Sequence, residues 1–128
     1  MRMAQEGTSE VRAASDQKGC PTSTYAVAAV IRKLLRSPRL MGTLHLSCGG
    51  EASRYDFARA VFELAGLGQK VVPCLSGEIP GSAVEPRSLK LENRMLGMFG
   101  LPPMPDWRTA LADFMRREFS PAAGGSVR

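Results

Sequence analysis

The sequence predicts a small mixed α/β domain, and three observations predict it. The chain has 128 residues, enough for one compact domain. Apolar residues switch along it between period-two and helical spacing. The resulting order is strand, helix, strand, helix, strand, long loop and two helices. That order holds too few strands for a self-sufficient doubly wound sheet, so the expected product is a lobe of short strands and about four helices.

Residues 2–6 form at most a stub of helix, too short to be stable alone. Residues 10–14 (EVRAA) have weak strand character, and the polar run SDQKGCPT over 15–22 is a loop. From 23 to 36, Val27, Val30, Ile31, Leu34 and Leu35 recur at helical spacing, with Thr22 or Ser23 available as N-cap and Pro38 just past the end. Residues 43–47 (TLHLS) alternate with period two and stop at Gly49-Gly50, which predicts a strand. Ser53 with Asp56 three residues on resembles a capping box. It opens a helix whose stripe is Phe57, Ala58, Val61, Phe62 and Ala65, closed by Gly66 and Gly68. Residues 71–75 (VVPCL) form a short strand, and the internal Pro73 makes it an edge. Residues 76–88 are a long polar loop, of a length that often carries function. A brief extended piece and a short helix fill 89–100, and Pro102, Pro103 and Pro105 then force a turn. Asp106 caps a last helix that turns Trp107, Ala110, Leu111, Phe114 and Met115 inward. The lobe therefore covers residues 1–118, with 119–128 as a disordered tail.

Composition excludes several classes. Hydrophobic residues are 44% and charged residues 23%, as in ordinary globular proteins. No apolar run approaches the roughly 20 residues needed to span a bilayer, so no membrane partner is expected. The first residues lack the apolar core of a secretion signal. Three widely spaced cysteines, Cys20, Cys48 and Cys74, form no CxxC and read as free thiols of a cytoplasmic protein. The net charge is +5, but Arg32 and Arg36 share a solvated helix face and aromatics are only 6%. No nucleic-acid partner is expected.

Most catalytic signatures are absent: there is no GxxxxGK[ST], GxSxG, HExxH or GxGxxG. The single histidine, His45, lies in the apolar strand and reads as a hydrogen-bonded core residue. No Cys/His cluster has zinc spacing. Tyr55 and Arg59 only loosely echo a YxxxK pair, beside core residues. The two polar loops carry more. The DQKGCPT loop leads into a helix N-terminus, whose backbone donors can hold an anion or an oxygen-rich sugar. In the second, Arg87 can fork onto a diphosphate. On pattern alone, ordinary turns and caps remain the stronger account of each loop.

DQKGCPT followed by a helix resembles the DQxGxPT segment of the dTDP-4-dehydrorhamnose reductase family. These are extended short-chain dehydrogenase/reductases that reduce a nucleotide-linked 4-keto sugar with NAD(P)H. The similarity continues through GTLHLSCGGEASRYDFARAVFELAGL and VVPCLSGEIPGSAVEPRSLKLENRML, and ends in PPMPDWRTALADFM. It implies that the chain matches only the C-terminal, substrate-binding portion of such an enzyme, without most of the Rossmann sheet. The Gly-rich cofactor loop and the Ser/Thr-Tyr-Lys set would lie in the other half, so no cofactor is expected on this chain.

By position, the resemblance nominates Gln17, Gly19, Pro21 and Thr22 in the first loop and Arg87 in the second as substrate-binding residues. The chain departs from the family pattern at Glu85, Leu89 and Ala26, and an anionic Glu85 would repel a diphosphate unless Arg87 compensates. The expected partner is a nucleotide sugar, weakly held, with no catalysis by this chain alone. A Rossmann half or another protein chain could cover its apolar surface, and self-association is expected. The alternative is a non-catalytic interaction subunit derived from the reductase fold.

Overall fold

A computed structural model of the chain describes residues 10–36, 42–81 and 86–119. The chain divides into two units, Met1–Pro21 with Gly50–Leu91, and Thr22–Gly49 with Glu92–Arg128.

The first unit is built on β1 (Glu10–Ala14), which pairs in parallel with β4 (Lys70–Cys74). Their register runs from Glu10 opposite Lys70 to Ala14 opposite Cys74. Parallel neighbours need a long crossover. Between them in sequence lies α2 (Arg54–Leu64), which packs on both strands. The core here is made of small side chains, Ala13, Ala14, Ala52, Ala60 and Cys74. Two two-residue strands, β2 (Lys18–Gly19) and β3 (Ala52–Ser53), pair antiparallel beside this sheet.

The start of α2 follows from its sequence. The Ser53 hydroxyl oxygen accepts the Asp56 N–H at 3.1 Å, while Asp56 Oδ2 accepts the Ser53 N–H at 3.0 Å. Two otherwise orphaned donors are thereby satisfied, as a capping box requires. The expected stripe is only partly buried: Ala60 is its most enclosed neighbour, Phe57 stays 37% exposed and Ala65 is exposed.

The second unit holds α1 (Thr24–Leu34), α3 (Arg94–Met98) and α4 (Trp107–Phe119). Its core comprises Val30, Cys48, Leu96, Met104, Trp107, Ala110, Leu111 and Met115. As expected, Asp106 caps α4, its Oδ1 accepting the Arg108 N–H at 2.9 Å. Phe114 lies against Tyr25 with ring centroids 6.2 Å apart. On α1 the apolar spacing overstated burial, because Ile31 is 44% and Leu35 83% exposed. Ser23 is the N-cap of α1 but makes no side-chain cap bond.

Residues 43–47 are not a strand, contrary to expectation. At the end of this run a side chain, not a ladder, satisfies the backbone of Ser47. Asn93 clamps Ser47, accepting its N–H at 2.9 Å and donating Nδ2–H to its carbonyl at 2.6 Å. Gly49 then donates to the Pro105 carbonyl at 2.8 Å and accepts the Trp107 N–H at 3.0 Å, forming an isolated bridge with Asp106. The period-two alternation survives, with Leu44 and Leu46 half-buried, but it puts His45 outward. His45 is thus an exposed residue, not a core one.

The long loop contains a 3-10 turn at Ser76–Glu78. The three cysteines are all free. The residue-2–6 stub, Pro38 and Glu85 lie outside the described residues, as do residues 120–128 of the expected tail, whereas Phe119 ends α4.

Candidate functional site

The DQKGCP loop starts where β1 ends, and a set of bonds to the end of β4 fixes its course. The Ser15 N–H donates to the Cys74 carbonyl at 3.0 Å. Asp16 accepts both the Ser76 N–H and the Ser76 hydroxyl at 2.9 Å. The hydroxyl foremost, then the amide, stabilises the ionised form and holds the Asp16 carboxyl below its ordinary value, and the Arg87 charge adds a smaller push in the same direction.

Lys18 is the centre of the arrangement. On one side it stands opposite Ser53 in the β2–β3 pair. On the other its N–H donates to the Arg87 carbonyl at 2.9 Å, and its carbonyl accepts the Leu89 N–H at 2.8 Å. Lys18 and Ser88 therefore form a parallel bridge, and the two loops nominated from the sequence run side by side. The Lys18 ammonium pairs with Glu51 at 3.2 Å.

Of the nominated residues, Gln17 is buried at 8% exposure, Gly19 and Pro21 are half-buried, and Arg87 is exposed. An added Cβ on Gly19 would meet no atom within 4 Å, so the fold leaves open space there. Thr22 belongs to the second unit, where its hydroxyl oxygen accepts the Cys48 N–H at 3.1 Å. Neither Ser76 nor Asn93 was singled out from the sequence. Asn93 had one usable signal, an Asn at the start of the short helix α3, but its partner Ser47 is 46 positions away.

Chemically, the paired loops offer an exposed guanidinium, an open backbone at Gly19 and a rigid base, which suits an anionic, oxygen-rich ligand. No group of His, Cys, Asp and Glu among the described residues could hold a metal ion. No described helix is long and apolar enough to cross a membrane. Tyr55 is half-buried and Arg59 exposed, both on α2.

A family model described as "RmlD substrate binding domain" matches residues 1–119. The chain belongs to the RmlD substrate-binding domain family. It is similar to the dTDP-4-dehydrorhamnose reductase of Mycolicibacterium smegmatis, at 35% identity over 88% of this chain and 35% of that protein. It is also similar to the Bacillus subtilis spore coat polysaccharide biosynthesis protein SpsK, at 32% identity over 90% of this chain and 40% of that protein. Among solved structures, the dTDP-4-dehydrorhamnose reductase of Bacillus anthracis, in complex with NADP, superposes with a TM-score of 0.82 at 29% identity. That match covers 88% of this chain and 39% of the solved one. The Clostridium acetobutylicum reductase gives a TM-score of 0.79 at 35% identity, over 85% and 39% of the two chains. This RmlD-type chain thus spans well under half the length of the relatives it matches. It has the expected mixed α/β fold of four helices and short strands, shared with part of such reductases.

The described residues do not fit a dinucleotide. Pyrophosphate sites of this kind need a Gly-rich turn from a strand into an open helix N-terminus. Here β1 leads into a loop with the single glycine Gly19, and the N-terminus of α2 is occupied by its own Asp56 carboxylate.

Proposed function

We propose that this chain is a nucleotide-sugar-binding lobe that does not carry out hydride transfer by itself. The observation that carries this reading is the backbone ladder joining Lys18 to Arg87 and Leu89. It brings the first loop, with Gln17, Gly19 and Pro21, alongside Arg87, as a two-loop ligand site requires. Arg87 supplies the charge for a diphosphate, Gly19 the room for close approach, and the buried Gln17 an anchor for the first loop. Thr22 is assigned by its position in the DQxGxPT pattern. The reductase names of the relatives make a dTDP-linked sugar the preferred ligand class, held weakly. NAD(P)H belongs to the full-length reductases, whose remaining length would supply the cofactor loop and the proton donor. The lobe is assigned to 1–118. Free thiols support a reducing, cytoplasmic setting.

The test is a titration with dTDP-L-rhamnose followed by amide chemical shifts. Shifts confined to 16–22 and 86–89 are expected. An unchanged spectrum at millimolar ligand would remove the ligand assignment while leaving the fold untouched.

A second reading, a protein-interaction subunit, has one observation in its favour: Ile31 and Leu35 stand one turn apart on α1, at 44% and 83% exposure. Self-association through this stripe would be seen as a concentration-dependent mass in solution, abolished by Leu35→Lys.

A further inference from the structure

We infer that Leu89 is a specificity-determining residue of the two-loop site, an apolar contact for the C6 methyl of a 6-deoxy sugar carried on the nucleotide. The inference rests on the nucleotide-sugar reading. It adds which face of the paired loops the ligand occupies and which part of the sugar they select.

Register fixes the two faces. Lys18 stands opposite Ser53 and Gly19 opposite Ala52 in the antiparallel pair, while Lys18 is bridged to Ser88 on its other flank. Residues paired across strands project to one face, and successive residues project to opposite faces. Lys18, Ser53 and Ser88 therefore share a face. Glu51, two residues before Ser53, belongs to it as well, and its ion pair with Lys18 at 3.2 Å agrees. Gly19, Ala52 and Leu89 share the other face, and Arg87, two residues before Leu89, joins them. All of these residues lie in the first unit.

The two faces differ in what they leave open. On the first, Ser53 is 2% exposed with its hydroxyl engaged by Asp56, and Glu51 neutralises Lys18. On the second, an added Cβ on Gly19 would meet no atom within 4 Å, so the space over it is open. Leu89 follows the bridge beside Gly19 and is 51% exposed. An aliphatic side chain thus stands half in water beside an open backbone, about 7 Å along an extended chain from a guanidinium.

That combination selects by chemistry. A diphosphate takes the Arg87 guanidinium. From there Leu89 is within the reach of one pyranose ring, and it favours an apolar group over a hydroxyl that it would leave unpaired. A 6-deoxy hexose presents a methyl where the parent sugar presents a hydroxymethyl. Burial of one methyl-sized group is worth about fourfold in affinity, and a desolvated hydroxyl widens the difference.

The experiment titrates the full chain with a matched pair, dTDP-D-glucose and its 6-deoxy counterpart, and follows amide and methyl shifts. The 6-deoxy ligand is expected to bind at least about fourfold tighter. Its C6 methyl should give a nuclear Overhauser contact with the Leu89 methyls. Leu89→Ser should erase the preference by weakening the 6-deoxy ligand alone, and Leu89→Met should restore most of it. If the serine variant misfolds, the wild-type pair and the Overhauser contact still decide the question. Equal affinities, a preference that survives in Leu89→Ser, or a 6-deoxy ligand bound away from Leu89 each overturn the inference and leave the nucleotide-sugar reading standing. Shifts with neither ligand overturn that reading, and the inference with it.

Discussion

At Gly19 the backbone does not adopt a positive φ, and an added Cβ would meet no atom within 4 Å. Folding therefore places no demand on glycine at this position, and any demand must come from what approaches the loop. Gly19→Ala is expected to change stability by less than about 1 kcal/mol in urea unfolding, with alanine if anything favoured through the unfolded chain. The same variant should weaken dTDP-sugar binding in the amide-shift titration. Asp16 is the opposite case, a residue that fixes the loop. Its carboxyl is held below the ordinary value by Ser76, so its contribution is full above the unfolded-state value and is lost as pH falls through the lower folded-state value. Thermal melts between pH 2 and 6, a window set about the carboxylate range, should show that acid loss in the wild type and a smaller one in Asp16→Asn, which should also melt lower at neutral pH. Asn93 secures both backbone groups of the buried residue Ser47. Asn93→Ala removes both bonds and should cost about 1–3 kcal/mol in equilibrium unfolding.

Helices α2 and α4 read correctly because their signals are local. Ser53 and Asp56 are three residues apart and satisfy each other without help from the rest of the chain. Ser53→Ala removes that cap and should destabilise by about 1 kcal/mol, measured by chemical denaturation. Along the α4 stripe Trp107, Ala110, Leu111 and Met115 are buried as the spacing requires and Phe114 is half-buried, with Trp107 only 4% exposed. Residues 43–47 show the limit of the same reasoning. Their alternation is that of a strand, but Asn93 takes both backbone bonds of Ser47 that a neighbouring strand would have used. On α1, helical spacing located the helix but not its buried face, since Ile31 and Leu35 satisfy the same stripe as Val30 and yet face outward.

For the whole molecule, the first unit presents a two-stranded parallel sheet and two loops joined at Lys18, and the described residues do not fit a dinucleotide. A ligand that binds only the folded state raises the melting temperature. NADP is therefore expected to leave the melting temperature of this chain unchanged, and a rise would show a cofactor site that these residues do not suggest. The family could be read from DQKGCPT and the collinear segments after it, and so could the two loops that carry Gln17, Gly19, Pro21, Thr22 and Arg87. Their meeting could not, because it depends on bonds between Lys18 and residues some 70 positions later.

Local chemistry in the sequence alone determined the capped helices α2 and α4 and the proline-marked edge, since each is carried by residues within a few positions of one another. The family was carried by collinear segments spread along the chain. Only the tertiary structure decided that Lys18 joins the two loops, that Asn93 replaces a strand partner for Ser47, and that His45 faces outward. Those outcomes depend on which distant backbone groups find each other, and a buried donor or acceptor takes whichever partner the packing brings within reach.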